Sequence, residues 1–267
     1  MARAYKEPNI DVQSQPDYRK IEIDKVGVKD ICYPIGVLER SGGTQRTVAK
    51  VSMYVNLPHQ FKGTHMSRFV ELLNEHCQDM STTTIPGILL EIRNRLQARQ
   101  AHIEVSFPFF ILKKAPVSGS EGLMAYECSV CGSVSEGVTL EIEVKVPITA
   151  LCPCSKAISD HGAHNQRGMV VVRYRQNRFV WIEEIIEMVE ASASCDVYSV
   201  LKREDEKFVT EKAYANPMFV EDVARSVALR LSEHEGITWF SVGVENQESI
   251  HAHNAYAHLE RSIERDD

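Results

Sequence analysis

Alternation of apolar and polar positions runs through most of the chain. From Ala49 to Leu57, the residues Ala49, Val51, Met53, Val55 and Leu57 alternate with Lys50, Ser52, Tyr54 and Asn56. That period of two gives a strand one buried and one wet face. The preceding IEIDKVGVKDICYPIGVLE, separated by the turn signal SGGTQ, completes a hairpin. The period then changes. Met66, Phe69, Val70, Leu73 and Cys77 recur at i, i+3, i+4, i+7 and i+11, and Leu89, Ile92 and Leu96 form a second stripe after Thr84 and Pro86. These stripes predict two helices, each with one buried face. Strands return in HIEVSFPFFIL and MAYECSVCGSV.

The same order then recurs. Val138, Leu140, Ile142, Val144, Val146 and Ile148 alternate with Thr139, Glu141, Glu143 and Lys145, and MVVVRYR supplies a second strand. Ile182, Ile185, Ile186 and Val189 make a helix, and Asn216 with Pro217 reads as the start of another, striped by Val220, Val223, Val227 and Leu231. ITWFSVGVENQE and HAHNAYAHLE close the chain as strands. The fold class expected is α+β, as tandem modules that are each an antiparallel sheet covered by two helices. The modules span 20–136 and 137–267, after a polar arm over 1–19 with Pro8, Pro16 and no period.

Composition narrows the function. The 267 residues are 43% hydrophobic and 25% charged, ordinary for a globular chain with one large core or two modest ones. A formal net charge of -7 supplies no global basic field, so nucleic acid is not an expected partner. No run of about 18 apolar residues occurs, and the opening MARAYKEPNIDVQSQPDYRK lacks a signal peptide's apolar core. A soluble, cytoplasmic protein with no membrane partner is expected. There, the seven cysteines serve as core residues, ligands or nucleophiles.

Candidate chemistry concentrates at two places. ALCPCSKAISDHGAHNQRG, a loop between two strands, gathers Cys152, Cys154, His161 and His164. Thiolate, imidazole and carboxylate suit a divalent metal with one position left for water, but two small thiols packed in a loop also fit this pattern. In ENQESIHAHNAYAH, His251 and His253 share one face of an extended strand close after Glu248. Such a group suits proton transfer near neutral pH, or simply decorates a solvated edge. Glu221 lies in the first turns of a helix, where it is a surface carboxylate or an acceptor for two N–H groups of a guanine edge. Glu206 lies in the charge run LKREDEKFVTEKA, read as a solvated connection; His65 begins a helix as a cap, a phosphate contact or a surface residue. Cys128 and Cys131 fall on opposite faces of a strand and read as structural, and Cys32, Cys77 and Cys195 read as core.

Together, ALCPCSKAISDHGAHNQRG, LKREDEKFVTEKAYANPMFVED and VENQESIHAHNAYA closely resemble the prokaryotic GTP cyclohydrolase of type IB, a tunnelling-fold enzyme. DVQSQ, VGVKDICYPI and GTHMSRF resemble its amino-terminal half, so the likeness spans nearly the whole chain. The resemblance implies that GTP and water become 7,8-dihydroneopterin triphosphate and formate. It implies a divalent metal, Zn²⁺, Mn²⁺ or Fe²⁺, on Cys152, His164 and Glu206, with Cys154 as the essential thiol. Glu221 would anchor the guanine, and Glu248, His251 and His253 would move protons. Charge and position assign the triphosphate to Lys156 and Arg167, with Arg46, Lys50, His65 and Arg68 arriving from a neighbouring subunit. Family assembly implies a homotetramer. The alternatives are another tunnelling-fold enzyme, of the archaeal cyclohydrolase or nitrile reductase kind, and a non-enzymatic metal-binding protein.

Overall fold

Period-two patterning forms strands where it is expected. In the computed structural model, which describes residue 13 and residues 15–263, β1 (Ile23–Leu38) and β2 (Thr44–Leu57) make the first hairpin. Gly42 turns it at φ 90°, a left-handed conformation that glycine adopts without steric cost. Then come α1 (Met66–His76), α2 (Ile85–Arg95), β3 (Ala101–Lys114) and β4 (Glu121–Val134). The carboxyl-terminal half contains β5 (Val138–Leu151), α3 (Pro153–Ile158), β6 (Asn165–Gln176), α4 (Ile182–Glu190) and β7 (Cys195–Asp196). It ends with α5 (Arg203–Ala215), α6 (Val220–Glu233), β8 (Ile237–Asn246) and β9 (Ala255–Ser262). Most of the expected 1–19 arm, with most of DVQSQ, lies outside the described residues.

Among the described residues nine strands form one antiparallel sheet, in the order β1-β2-β3-β4-β5-β6-β8-β9, with β7 pairing β5 off this path. Cross-strand register explains its two faces. Val51, Val105, Val130, Ile142, Tyr174 and Phe240 are successive partners across six strands, and each is at most 2% exposed. Burying an aliphatic or aromatic side chain of this size contributes roughly 1.5–3 kcal/mol. One residue along, the row reads Lys50, Ser106, Ser129, Glu143, Arg173 and Ser241. Arg173 Nε donates to Glu143 Oε2 at 2.6 Å within that polar row. The apolar row lies under the helices, α2 on β3 and β4, α4 on β5, and α6 on β8 and β9. The expected boundary at 136/137 falls in the turn between β4 and β5, and these strands pair from Val134↔Val138 to Glu127↔Lys145. One core runs beneath both halves.

Several local expectations give way to the structure. α1 buries Phe69, Leu72 and Leu73 and leaves Met66 and Val70 exposed, because Leu72 shifts its buried face. On β2, Ser52 and Asn56 are buried: Ser52 Oγ accepts from Asp30 N at 3.1 Å, and Asn56 Oδ1 accepts from Arg99 N and Gln100 N at 2.9 and 2.8 Å. Hydrogen bonds to the backbone make those polar burials tolerable. Cys32 is exposed, whereas Cys77 and Cys195 are core, and Cys128 is buried opposite an exposed Cys131. The charge run is helix α5. Asn216 is the last-turn cap of α5, its Nδ2 donating to Ala193 O at 2.9 Å, and α6 begins only at Val220.

Candidate active site

Three short apolar residues decide where the candidate ligands stand. Leu151 ends β5 immediately before Cys152, Ala163 immediately precedes His164, and Val209 lies one turn after Glu206 on α5. Leu151, Cys195 and Ala213 form a small core of their own, separate from the main one, and Ala163 and Val209 pack against it. The chain segments that carry Cys152, His164 and Glu206 thus pack on one apolar seed.

The loop expected between β5 and β6 contains helix α3, started by Pro153 at its first position. Cys152 caps this helix, its Sγ accepting from Ser155 N at 3.5 Å. Ser155 then ties the loop's two ends together: its Oγ donates to Cys152 O at 3.1 Å and accepts from His164 N at 3.2 Å. Cys152 N donates to His164 O at 3.2 Å. Gly162 turns the chain back at φ 75°. Cys154 is exposed on α3, and Cys152 is half-buried.

α5 is fixed by a buried carboxylate that sequence reasoning missed. Asp205 is fully buried and accepts from Val117 N, Ser118 N and Lys202 N, each at 2.8 Å, and from Ser118 Oγ at 2.6 Å. Burial alone would raise its pKa; these hydrogen bonds outweigh that and hold the carboxyl well below the ordinary 3.8. Lys212, two turns on, donates to Asp196 Oδ1 at 3.1 Å, and Lys113 Nζ lies 3.4 Å from Asp196 Oδ2. Burial pushes Asp196 up, but these two ammonium groups bring it below its ordinary value. Asp196 pairs with Ile148 on β5, so the clamp sits behind the strand that ends in the Cys152 loop.

The carboxyl-terminal group is a loop between β8 and β9, not the expected strand, which starts only at Ala255. Its histidines still meet: the rings of His251 and His253 stack with centroids 5.0 Å apart. The loop reaches the Cys152 segment through Gln166, whose Nε2 donates to Glu248 Oε1 at 2.9 Å while its Oε1 lies 2.8 Å from His164 Nδ1. Sequence reasoning missed Gln166; the signal that could have found it is its place two residues beyond His164, the spacing that shares a face in extended chain. Below it, Gly168 is required by close approach, since a Cβ there would lie 2.3 Å from Asn246 Oδ1. Glu221 is exposed in the first turn of α6. Met218 N donates to Leu151 O at 3.1 Å, which brings that helix start to the residue before Cys152.

A sequence model of the family described as type I GTP cyclohydrolase folE2 matches residues 10–257. The chain belongs to that family. It is an enzyme, a GTP cyclohydrolase. GTP cyclohydrolase FolE2 of Syntrophobacter fumaroxidans is 57% identical over 255 residues, covering 95% of this chain and 99% of the relative. GTP cyclohydrolase FolE2 of Magnetococcus marinus is 56% identical over 254 residues, covering 95% and 96%. A highly active mutant of urate oxidase from Bacillus sp. TB-90 is similar in structure, with a TM-score of 0.53 at 6% identity over 90% of this chain and 100% of that one. At that identity the likeness shows fold alone, helices against one large antiparallel sheet.

For a GTP cyclohydrolase the remaining questions are the metal and the phosphates. Cys152, His164 and Glu206 do not bring three ligand atoms within 4.8 Å of one another; among the described residues the group that does is Glu75, His76 and Glu91. That group is an ion-pair network. Arg95 bonds both carboxylates, and His76 Nε2 lies 2.7 Å from Glu91 Oε2. The Arg95 guanidinium holds Glu75 below the usual carboxylate range. Around Cys152 the donors are less committed. His164 uses Nδ1 for its hydrogen bonds, and no hydrogen bond or ion pair engages the Glu206 carboxylate among the described residues. Their thiol, imidazole and carboxylate chemistry fits a borderline divalent ion. Of the expected phosphate contacts, Lys156 donates to Tyr214 O and lies 4.3 Å from that ring's centroid, closing α3 onto the end of α5. Arg167 is exposed on β6, and its carbonyl accepts from Gln247 N at 3.0 Å. His65 is the half-buried cap of α1, in the other half of the chain.

Proposed function

We propose that this enzyme follows the type IB course, converting GTP and water to 7,8-dihydroneopterin triphosphate and formate with a divalent metal held by Cys152, His164 and Glu206. The observation that supports the reading is the separate apolar seed on which the segments carrying the three donors pack. When bound, Zn²⁺, Mn²⁺ or Fe²⁺ there would bring the pKa of a water from about 15.7 toward about 7, supplying hydroxide for guanine C8 at neutral pH. Glu221 accepts the two N–H groups of the guanine edge, as an acceptor-only carboxylate can. Cys154 presents its exposed thiol to the substrate. Glu248, His251 and His253 carry the proton transfers of ring opening, formate release and ring closure, and imidazoles suit these near pH 7.

The triphosphate is met by Arg167, by Lys156 after release from Tyr214, and by His65 of another subunit. That last contact makes the active unit an oligomer, a homotetramer in this reading, built from two tandem tunnelling-fold modules over 20–136 and 137–267 with the arm over 1–19. No helix among the described residues is long and apolar enough to cross a membrane, in keeping with a cytoplasmic enzyme. The test is incubation of metal-loaded protein with GTP, following formate and pterin fluorescence. Both products appear, chelation abolishes them, and added metal restores them. Undiminished turnover in a verified metal-free sample contradicts the metal assignment, and a cyclic phosphate product contradicts the type IB course.

A further inference from the structure

Gln166 sits between two groups assigned to different tasks, and hydrogen-bond chemistry fixes which way its amide faces. Glu248, as a carboxylate, only accepts, so the nitrogen end of the amide must face it; Gln166 Nε2 does so at 2.9 Å. The carbonyl end therefore faces His164 Nδ1 at 2.8 Å. A carbonyl also only accepts, so Nδ1 must carry the proton. Ser249 Oγ, 3.3 Å from the same nitrogen, sits as a second and weaker partner. A neutral imidazole protonated on Nδ1 has its bare lone pair on Nε2. Gln166 is the second residue of β6, where pairing with Ala150 fixes its backbone, so the amide has little freedom to turn away.

We propose that Gln166 is a positioning residue that sets His164 in the Nδ1–H tautomer, leaving Nε2 for the metal, and couples that imidazole to the proton-transfer carboxylate Glu248. The proposal rests on the reading of His164 as a metal ligand. It assigns Gln166 two separable jobs: its oxygen serves metal binding through His164, and its N–H serves turnover through Glu248.

Two substitutions divide these jobs. Gln166→Leu removes both acceptor and donor, and an unconstrained imidazole exchanges its proton between its nitrogens. Gln166→Glu keeps an acceptor for Nδ1–H but offers Glu248 a like charge instead of a donor. Calorimetric titration with Mn²⁺ alone, nitrogen NMR of the His164 ring in metal-free protein, and kcat and KM for GTP are compared with wild type and His164→Ala. In Gln166→Leu, Mn²⁺ affinity falls about 10–100-fold, the usual cost of losing a partner behind a metal ligand, and the ring signals move from one tautomer to a mixture. In Gln166→Glu, Mn²⁺ affinity stays near wild type while kcat falls and KM does not. A purely structural role would lower metal affinity and kcat together in both variants with the tautomer unmoved, which overturns the proposal. Wild-type Mn²⁺ affinity in Gln166→Leu, with weak binding in His164→Ala, overturns it while the ligand reading stands. Wild-type affinity in His164→Ala removes the ligand reading and the proposal together.

Discussion

Cys152 and Cys154 are two residues apart, yet the structure gives them different surroundings. Cys152 is a half-buried helix cap tied to the His164 end of its loop, whereas Cys154 is exposed on the helix it starts. Glu221 is the most isolated assignment, an exposed carboxylate in a first helical turn. Its charge is what matters. Glu221→Gln replaces an acceptor-only group by an amide that also points a donor at the guanine N–H groups. GTP affinity is expected to weaken by about 2 kcal/mol, as for a lost charge-assisted pair, and calorimetric titration measures it. Unchanged affinity would remove Glu221 from the guanine site. What sequence conveyed at this scale was residue type. What it did not convey was partnership, as with Lys156, whose charge suggested phosphate and whose ammonium is on Tyr214 O.

Elements with a strong period were readable from the chain; elements held by single polar anchors were not. The alternation from Ile142 to Ile148 and the stripe Val220, Val223, Val227 and Leu231 are fully realised, because each repeats one face against the main core. α5 has no such stripe. It buries Asp205 and Ala213 and reads as a run of charge, since its stability comes from a carboxylate clasping the turn around Ser118. Asn-Pro misled for a related reason, as asparagine caps either end of a helix and here ends α5. Asp205 makes stability depend on pH. A carboxyl whose folded pKa lies below its unfolded one contributes stability that is complete above the ordinary value and lost as pH falls through the folded one. Asp205→Asn is therefore expected to lower Tm at pH 7, and the gap from wild type narrows only below the ordinary 3.8. Thermal melts across that range check it; a gap constant with pH would mean that the charge contributes nothing.

At the scale of the molecule, β4 and β5 join the two halves into one sheet over one core. That continuity predicts a single cooperative unfolding transition. Both tryptophans, Trp181 and Trp239, lie in the carboxyl-terminal half, so their fluorescence follows that half while far-ultraviolet circular dichroism follows the whole sheet. Coincident denaturant curves are expected, and separated midpoints would show that the halves unfold independently. The proposed metal site also depends on the whole fold, because Cys152, His164 and Glu206 lie just after β5, just before β6 and on α5, on segments whose neighbouring residues Leu151, Ala163 and Val209 pack into one small core with Cys195 and Ala213. Its most direct test is metal stoichiometry, measured on wild type and on Cys152→Ala, His164→Ala, Glu206→Ala and Cys154→Ala after identical loading and washing. The account predicts metal loss in the first three variants and near-normal content in Cys154→Ala, with that last variant's turnover down at least about 100-fold. Metal retained in Cys152→Ala, or lost equally from Cys154→Ala, would contradict it.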